Sequence, residues 1–353
     1  MIKEEYSPYK IIHHLDKIKL LKAGEQTVPL QVHLVLSNAC NQRCSFCAYR
    51  MKDFLANENF VENHMLSLEK AQKCLLDFKE MGVKAVQYTG GGEPLVHPNH
   101  FDLFQRTLDL GLDLALVTNG MALKEVTSDV LGDASWVRVS VDSASAKTYG
   151  FIRNVKSTVF NQVINNIKDL VAYRRKAIIG VGFVVEKENY LEIFEAAKLF
   201  KELGVDNFRI SGVFTPMGYD YFSEFKKTAI ELSRKAEELS DDHFTVFNLF
   251  GDRLADTFND VQDYDFCPIK DLQVYIGADY NVYTCCTLAY NDNGLIGSIK
   301  EQTFADLWNS QEKKDMYAKH SPRRICKHPC IYRGKNEFIN YCIKTMPKHI
   351  NFI

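Results

Sequence analysis

From about residue 30 to residue 240 short β-branched runs alternate with longer amphipathic stretches. That alternation restricts the chain more than any other feature, because strands separated by helical crossovers pair in parallel and need both faces of the sheet covered. The strands read as Gln31–Leu36, Lys84–Tyr88, Leu112–Thr118, Trp136–Val141, Ile178–Val185 and Asn207–Ser211. In the stretch after the first, Leu68, Ala71, Leu75 and Phe78 recur at three- and four-residue steps, which places them on one helix face. Met81-Gly82 and Leu203-Gly204 read as helix ends, since glycine tolerates the left-handed conformation that closes a helix. Six β/α units fall two short of a closed eight-fold barrel. The expected fold is therefore α/β, a partial (β/α)6 TIM-like barrel open on one side, with its chemistry at the C-terminal strand ends.

The tail follows a different pattern. Leu272–Ile276 and Val282–Cys286 read as a hairpin around Ala278-Asp279-Tyr280-Asn281, followed by a helix near Thr303–Tyr317, and Pro322, Pro329 and Pro347 interrupt the basic, cysteine-bearing segment beyond. This predicts an N-terminal extension at 1–30, a barrel at 31–240, a linker at 241–266 and a small hairpin and helix domain at 267–353. A chain of 353 residues with 46% hydrophobic and 25% charged residues is neither disordered nor fibrous. The net charge of −2 gives no broad basic field, so no nucleic-acid partner is expected. The first twenty residues carry charge every few positions, and no run approaches eighteen apolar residues, so neither a secretory signal nor a membrane partner is expected. A cytoplasmic protein keeps its thiols reduced, and the ten cysteines then need a role other than disulfides.

Cys40, Cys44 and Cys47 follow the first strand directly, separated by three and two residues. Such a loop can turn three sulfurs toward one centre, and soft thiolates suit zinc or an iron–sulfur cluster. Structural zinc wants a fourth protein ligand, but His33 lies inside the strand and His64 is remote. A four-iron cluster on three cysteines instead leaves one iron open to a small chelating ligand.

With this loop the sequence resembles the radical S-adenosylmethionine (radical SAM) enzymes, whose signature is CxxxCxxC after the first strand of a partial barrel, with an aromatic residue before the last cysteine. Phe46 occupies that slot. The resemblance implies that Cys40, Cys44 and Cys47 hold a 4Fe–4S cluster whose open iron is chelated by SAM. One electron then cleaves SAM to methionine and a 5′-deoxyadenosyl radical that takes a hydrogen from substrate. An external donor such as a flavodoxin or ferredoxin is implied. Thr89-Gly90-Gly91-Gly92-Glu93-Pro94 matches the segment that binds the SAM amino group, which assigns Gly91, Gly92 and Glu93 to SAM. Glycine permits close backbone approach, and a carboxylate suits an ammonium. The resemblance also places Ser140 and Arg153 at the SAM ribose or carboxylate, and Val184 of Val181-Gly182-Phe183-Val184 against the adenine.

In the tail, Cys267 precedes the hairpin, Cys285 and Cys286 end it, and Cys326-Lys-His-Pro-Cys330 follows the helix. This layout resembles the auxiliary-cluster domain called twitch, a shortened relative of SPASM, and implies a second 4Fe–4S cluster on Cys267, Cys285, Cys326 and Cys330. The final pair has three intervening residues where two are commoner in the family. Adjacent strand residues face opposite ways, so only one of Cys285 and Cys286 can face the cluster; Asn281-Val-Tyr-Thr-Cys285 resembles the family's hairpin end and favours Cys285. Cys342 is left as a replacement ligand or a free thiol, and a zinc knuckle on the same four residues remains the alternative. Cys74 reads as a buried small hydrophobe and His97 as structural. Tyr88, Arg209 and Tyr275 are candidates for the wall of a substrate cavity, and no residue is given a catalytic step.

The resemblance leaves the reaction open. Only 39 residues precede Cys40, too few for the leader-peptide module of many peptide-modifying relatives, so the expected substrate is a small molecule, a sugar or a nucleotide-linked compound that is oxidised or rearranged. The alternatives are peptide maturation and a redox-neutral epimerase or lyase in which a thiol such as Cys286 returns a hydrogen. From outside enzymes, the alternative is a zinc-stabilised binding module.

Overall fold

The computed structural model describes residues 7–51, 58–250, 262–326, 330–344 and 348. One ten-stranded sheet organises them. Strands β1 (Gln31–Val35), β2 (Ala85–Thr89), β3 (Asp113–Thr118), β4 (Trp136–Ser140), β5 (Ile178–Val185), β6 (Asn207–Gly212) and β7 (Thr245–Asn248) run parallel in sequence order. On the far side of β1, β8 (Gln273–Ile276) pairs in parallel with it, with Gln31 opposite Gln273 and His33 opposite Tyr275. Strands β9 (Asn281–Tyr283) and β10 (Leu295–Ser298) continue antiparallel beyond β8. Its eight parallel strands, from β8 through β1 to β7, form an open barrel, because β7 and β8 do not pair with each other among the described residues.

Two expected boundaries therefore move. The segment at 241–266 is not simply a linker, since it contains β7; residues 251–261 of it lie outside the described residues. The tail hairpin is not separate from the barrel sheet, because its first strand is the neighbour of β1. The N-terminal extension also belongs with the tail. Ile11 and Leu21, the latter on α1 (Leu15–Ala23), share a buried cluster with Ile269, Leu272, Tyr332, Ile339 and Ile343.

The crossover helices are α2 (Leu68–Met81), α3 (His100–Asp109), α4 (Glu125–Leu131), α5 (Ala146–Arg153), α6 (Thr158–Ala172), α7 (Ile193–Glu202) and α8 (Lys226–Glu237). The first shows how sequence sets their limits. The Ser67 hydroxyl accepts from the Lys70 N–H at 3.2 Å, satisfying a free donor of the first turn. Gly82 ends the helix at φ 88°, in the left-handed region. Between these caps Ala71, Cys74, Leu75 and Phe78 are buried, and Cys74 is core as expected. In the tail follow α9 (Ile269–Leu272), α10 (Phe304–Asn309), α11 (Gln311–Lys319), α12 (Pro322–Ile325) and α13 (Arg333–Lys344). The single helix expected at Thr303–Tyr317 is two, because Ser310 is extended and caps the second by accepting from the Lys313 N–H.

Alternation along the strands separates two environments. Val32, Leu34, Val86, Leu114, Leu116, Val137, Val139, Ile179, Val181, Phe183, Phe208 and Ile210 pack in the core under the helices. Their neighbours, which face the lumen, include Gln31, His33, Gln87, Arg138, Gly182, Arg209, Gln273 and Tyr275. No described helix is long and apolar enough to cross a membrane.

Candidate active site

The loop carrying Cys40, Cys44 and Cys47 leaves the C-terminal end of β1, and its backbone is fixed on two sides. Toward β2, the Gly92 N–H donates to the Ser37 carbonyl at 3.0 Å and the Glu93 N–H to the Ala39 carbonyl at 2.9 Å. A side chain at Gly92 would collide with the Ala39 carbonyl and the Asn38 backbone, and one at Gly91 with the Asn38 amide and the Phe60 ring. These glycines are what allow the turn to lie against the cysteine loop. Toward α5, the Arg43 N–H donates to the Arg153 carbonyl at 3.1 Å and the Ser45 N–H to the Ile152 carbonyl at 2.9 Å. The three cysteines are half-buried. Burial raises the thiols of Cys40 and Cys47 above their ordinary value, so binding a cationic iron core there would have to displace protons.

Arg153 is buried rather than a surface helix residue. Its guanidinium pairs with Asp142, donates to the Cys44 sulfur at 3.2 Å and lies 5.6 Å from the Phe46 ring centroid. Burial opposes its charge, but the Asp142 carboxylate and the Cys44 sulfur outweigh burial and hold it cationic. Asn119 reaches the Cys40 sulfur from the end of β3, at 3.8 Å. Glu93 is buried beneath the loop, where one carboxylate oxygen accepts from Thr118 Oγ1 at 2.6 Å and the Leu95 N–H at 3.1 Å, and the other from the Asn119 N–H at 2.7 Å. Burial raises its pKa, partly offset by those donors. Ser140 ends β4 opposite Gly182. Val184 shares the lumen face of β5, and its N–H donates to Asp142 at 2.6 Å.

Glu186, one residue past β5, has no place in the motifs read from sequence. It is buried, and its Oε1 has no hydrogen-bond partner. Burial, with repulsion from Asp142 and Glu188, raises its pKa to about 7. The unfolded chain releases this proton near pH 4.5 while the folded protein keeps it until about pH 7. Stability is therefore expected to fall as pH rises through that window and level off above it, by at most about 3 kcal/mol. Glu186→Gln is expected to flatten that decline in SAM-free protein, measured by urea midpoints from pH 4.5 to 8. Equal slopes in wild type and variant would contradict the assignment.

The second cysteine set lies toward the other end of the lumen. Cys285 follows β9, which runs back antiparallel to β8, so the chain returns to the N-terminal end of the parallel strands. Cys267, Cys285, Cys326 and Cys330 line one cavity with Tyr264, His320, Tyr332 and Asn336. The Cys285 thiol is raised well above its ordinary value by burial and then by the neighbouring Cys286, Cys326, Cys330 and Cys267. Such a set of thiols, held protonated by burial and by their neighbours, fits a cationic metal centre that would displace those protons. Cys286 begins the short 3₁₀ turn Cys286–Leu288, and its sulfur lies 3.5 Å from the Tyr332 hydroxyl. It does not line the cavity. Cys342 sits on α13, also outside the lining. Asn336 and Tyr264, which no motif marks, organise the set: Asn336 Oδ1 accepts from Cys267 at 3.5 Å and the Ile269 N–H at 3.1 Å, while Tyr264 donates to Cys330 at 3.8 Å. Among the described residues no three His, Cys, Asp or Glu groups close on a single ion.

Between the two sets, Tyr275 joins a wall of Tyr49, Phe60, Tyr283 and Tyr290, with its hydroxyl 3.0 Å from that of Tyr49. Arg209 also faces the lumen. Tyr88 does not: it shares the outer face of β2 with Val86, and its hydroxyl lies 2.7 Å from Thr107 Oγ1 under α3. Placing it in a substrate cavity was an error of strand face. His97 is structural, with Nε2 2.8 Å from the Leu66 carbonyl. A cavity of about 520 Å³ opens near Ile178, Asn207 and Thr245, at the N-terminal strand ends and away from the cysteine loop.

A model of the radical SAM superfamily matches residues 34–193, and one of an iron–sulfur cluster-binding domain, SPASM, matches residues 267–331. The chain is 29% identical over 316 residues to a GTP 3′,8-cyclase of Aquifex aeolicus, covering 82% of this chain and 92% of that protein. It is 25% identical over 307 residues to a tungsten-containing aldehyde ferredoxin oxidoreductase cofactor-modifying protein of Pyrococcus furiosus, covering 79% and 81%. Among solved structures, Streptococcus suis SuiB bound to S-adenosylmethionine superposes with a TM-score of 0.64 at 18% identity, over 88% of this chain and 73% of that one, which shows a shared fold. The chain belongs to the radical SAM superfamily, with S-adenosylmethionine and a 4Fe–4S cluster as cofactors and an iron–sulfur cluster-binding domain of the SPASM type in its tail.

Proposed function

We propose that this chain oxidises or rearranges a small-molecule, sugar or nucleotide-linked substrate held in the barrel lumen, between a 4Fe–4S cluster on Cys40, Cys44 and Cys47 and an auxiliary cluster on Cys267, Cys285, Cys326 and Cys330. One observation carries the reading. The interior of a closed (β/α)8 barrel is a packed apolar core, whereas this lumen is lined by Gln31, His33, Gln87, Arg138, Arg209 and Gln273 with a cysteine set toward each end. The relatives named above for a GTP cyclase and a cofactor-modifying protein support a small molecule. The SuiB structure with its precursor peptide SuiA keeps a peptide as the competing substrate.

When bound, SAM and the first cluster supply a 5′-deoxyadenosyl radical able to take a substrate hydrogen. The chain's own residues do the positioning. Glu93 and the glycines before it receive the SAM ammonium, Arg153 stands beside the carboxylate site, and Val184 backs the adenine. Asp142 orients Arg153 and the backbone of Val184 together. The tyrosine wall around Tyr275 excludes water on the side of β8. The electron enters from an external donor such as a flavodoxin or ferredoxin.

Glu93→Gln is expected to lower SAM affinity about ten- to a hundred-fold, because it removes a charge-assisted hydrogen bond worth about 1.5–3 kcal/mol. It also turns an amide NH₂ toward donors that Glu93 now accepts from, which is expected to destabilise the fold by about 1–3 kcal/mol. SAM titration and urea denaturation check both effects. Unchanged affinity would place Glu93 outside the site. For the substrate, reconstituted protein is incubated with SAM, reductant and deuterated pools of nucleotides, sugars or peptides. Deuterium entering 5′-deoxyadenosine from a nucleotide or sugar is the expected result, and transfer from peptides alone would overturn the reading.

A further inference from the structure

Charge is distributed unevenly over this molecule. Residues 7–23, 322–325 and 333–344 together hold nine Lys or Arg and two Asp or Glu, a net of +7. The whole chain is −2, so everything else is −9. Arg323 and Arg333 pair with Asp265 and Asp263, but Lys10, Lys19, Lys22 and Lys344 are exposed and form no ion pair among the described residues. The same elements leave large apolar side chains in solvent. Tyr9 and Ile12 are 42% and 47% exposed, Leu15 59% and Tyr341 53%. Packing joins them: Tyr9 meets the Phe338 ring edge-on at 4.7 Å, and Tyr341 lies three residues after Phe338, one turn along α13. In the 3₁₀ helix Pro8–His13, residues three apart eclipse, so Ile12 stands beside Tyr9. Leu15, Lys19 and Lys22 follow at steps of four and three on α1 and share one face. Lys344 falls three residues after Tyr341. An apolar centre rimmed by cations is the composition of a docking surface. Behind it the same elements bury Ile11, Leu21, Ile339 and Ile343 against Cys267, Cys285 and Cys330, so a partner seated there would lie close to the second cysteine set.

We propose that this face docks the small, acidic one-electron carrier protein that reduces the chain. The proposal rests on the reading that an external donor such as a flavodoxin or ferredoxin supplies the electron, and it adds where that donor binds. With a flavodoxin, the anionic flavin hydroquinone becomes the neutral semiquinone, and the electron it loses takes one 4Fe–4S centre from the 2+ to the 1+ state. A cationic rim steers an acidic carrier into contact, and a small apolar centre keeps the complex short-lived, as repeated delivery requires. The carrier fits this face better than an anionic membrane does. Its apolar residues come from two separate elements packed over the cysteine set, not from one long amphipathic helix.

The test uses the full chain with its clusters reconstituted, and measures calorimetric binding of two acidic probes, an oxidised flavodoxin and an oxidised 4Fe–4S ferredoxin. Wild type is expected to bind at least one, and to bind it about tenfold more weakly when salt is raised to about 0.5 M. Lys19→Glu combined with Lys22→Glu is expected to weaken binding by about tenfold or more, and Leu15→Ser by about threefold or more. Lys198→Glu combined with Lys227→Glu, at exposed positions of α7 and α8, is expected to leave it unchanged. Iron content and dithionite-driven SAM cleavage should stay at the wild-type level in every variant. If the Lys19 and Lys22 pair loses iron, Lys10→Glu combined with Lys344→Glu decides instead. Equal binding by wild type and the face variants overturns the proposal. So does an equal loss in the α7 and α8 pair, since overall charge and not this face would then govern binding. Attachment to phosphatidylserine vesicles, or self-association in sedimentation, that the same lysine variants abolish while neither carrier binds would assign the face to lipid or to a second copy and overturn it too. Failure of wild type to bind either carrier while dithionite still drives SAM cleavage overturns this inference alone, whereas absence of that cleavage strikes at the radical reading itself.

Discussion

Replacement of Cys40, Cys44 and Cys47 together by alanine is expected to remove one cluster, about four irons per chain, and to abolish SAM cleavage. The size of the effect follows from the geometry. The three thiols sit on one loop that is pinned to the Gly92-Glu93 turn and to the end of α5, so no other cysteine lies in position to replace them. The backbone hydrogen bonds that pin the loop survive the substitutions, and only the contacts of Arg153 and Asn119 with the Cys44 and Cys40 sulfurs go with the thiols. The variant should therefore keep its fold and lose only the centre. Iron and sulfide analysis with quantification of 5′-deoxyadenosine checks this, and retained cleavage would refute the assignment of the loop.

The second large effect is expected in the tail. Cys326→Ala with Cys330→Ala takes two of the four thiols from the cavity that Cys267 and Cys285 also line. Iron content should fall by about half, since one of two cubanes is lost. Substrate turnover should vanish while substrate-free SAM cleavage persists, because the radical loop sits beyond the opposite end of β1. A structural zinc site would give a different result: wild type would carry zinc beside about four irons, and the double variant would lose zinc only. Removing buried thiols also opens space next to the cluster of Ile11, Leu21, Ile269 and Ile339. A lowered melting temperature is therefore expected along with the iron loss.

Much of this was legible because chemistry and local pattern coincide. The six strands appear within a residue or two of their expected limits, since each is a β-branched run followed by an amphipathic helix. The four tail cysteines meet at one cavity despite the unusual spacing of Cys326 and Cys330. What escaped depends on pairing between distant segments. Strand β7 is four residues, Thr245–Asn248, too short to show a period, and exists because β6 offers it an edge. The pairing of β8 with β1 joins residues more than two hundred apart, which no local signal records. Tyr88 was a readable error: it alternates with Gln87 and shares a face with Val86, so the same alternation that exposes Arg138 to the lumen places Tyr88 under α3. Asn336 and Glu186 carry no motif. Their importance comes from burial beside Cys267 and beside the Asp142–Arg153 pair.

The central claim is that this chain reductively cleaves SAM at the β1 loop. The most direct test is to reduce anaerobically reconstituted wild type with dithionite in the presence of SAM and to quantify methionine and 5′-deoxyadenosine together. The account predicts both products in equal amounts, each dependent on reductant. Protein that carries its full iron, binds SAM and yields neither product would contradict it.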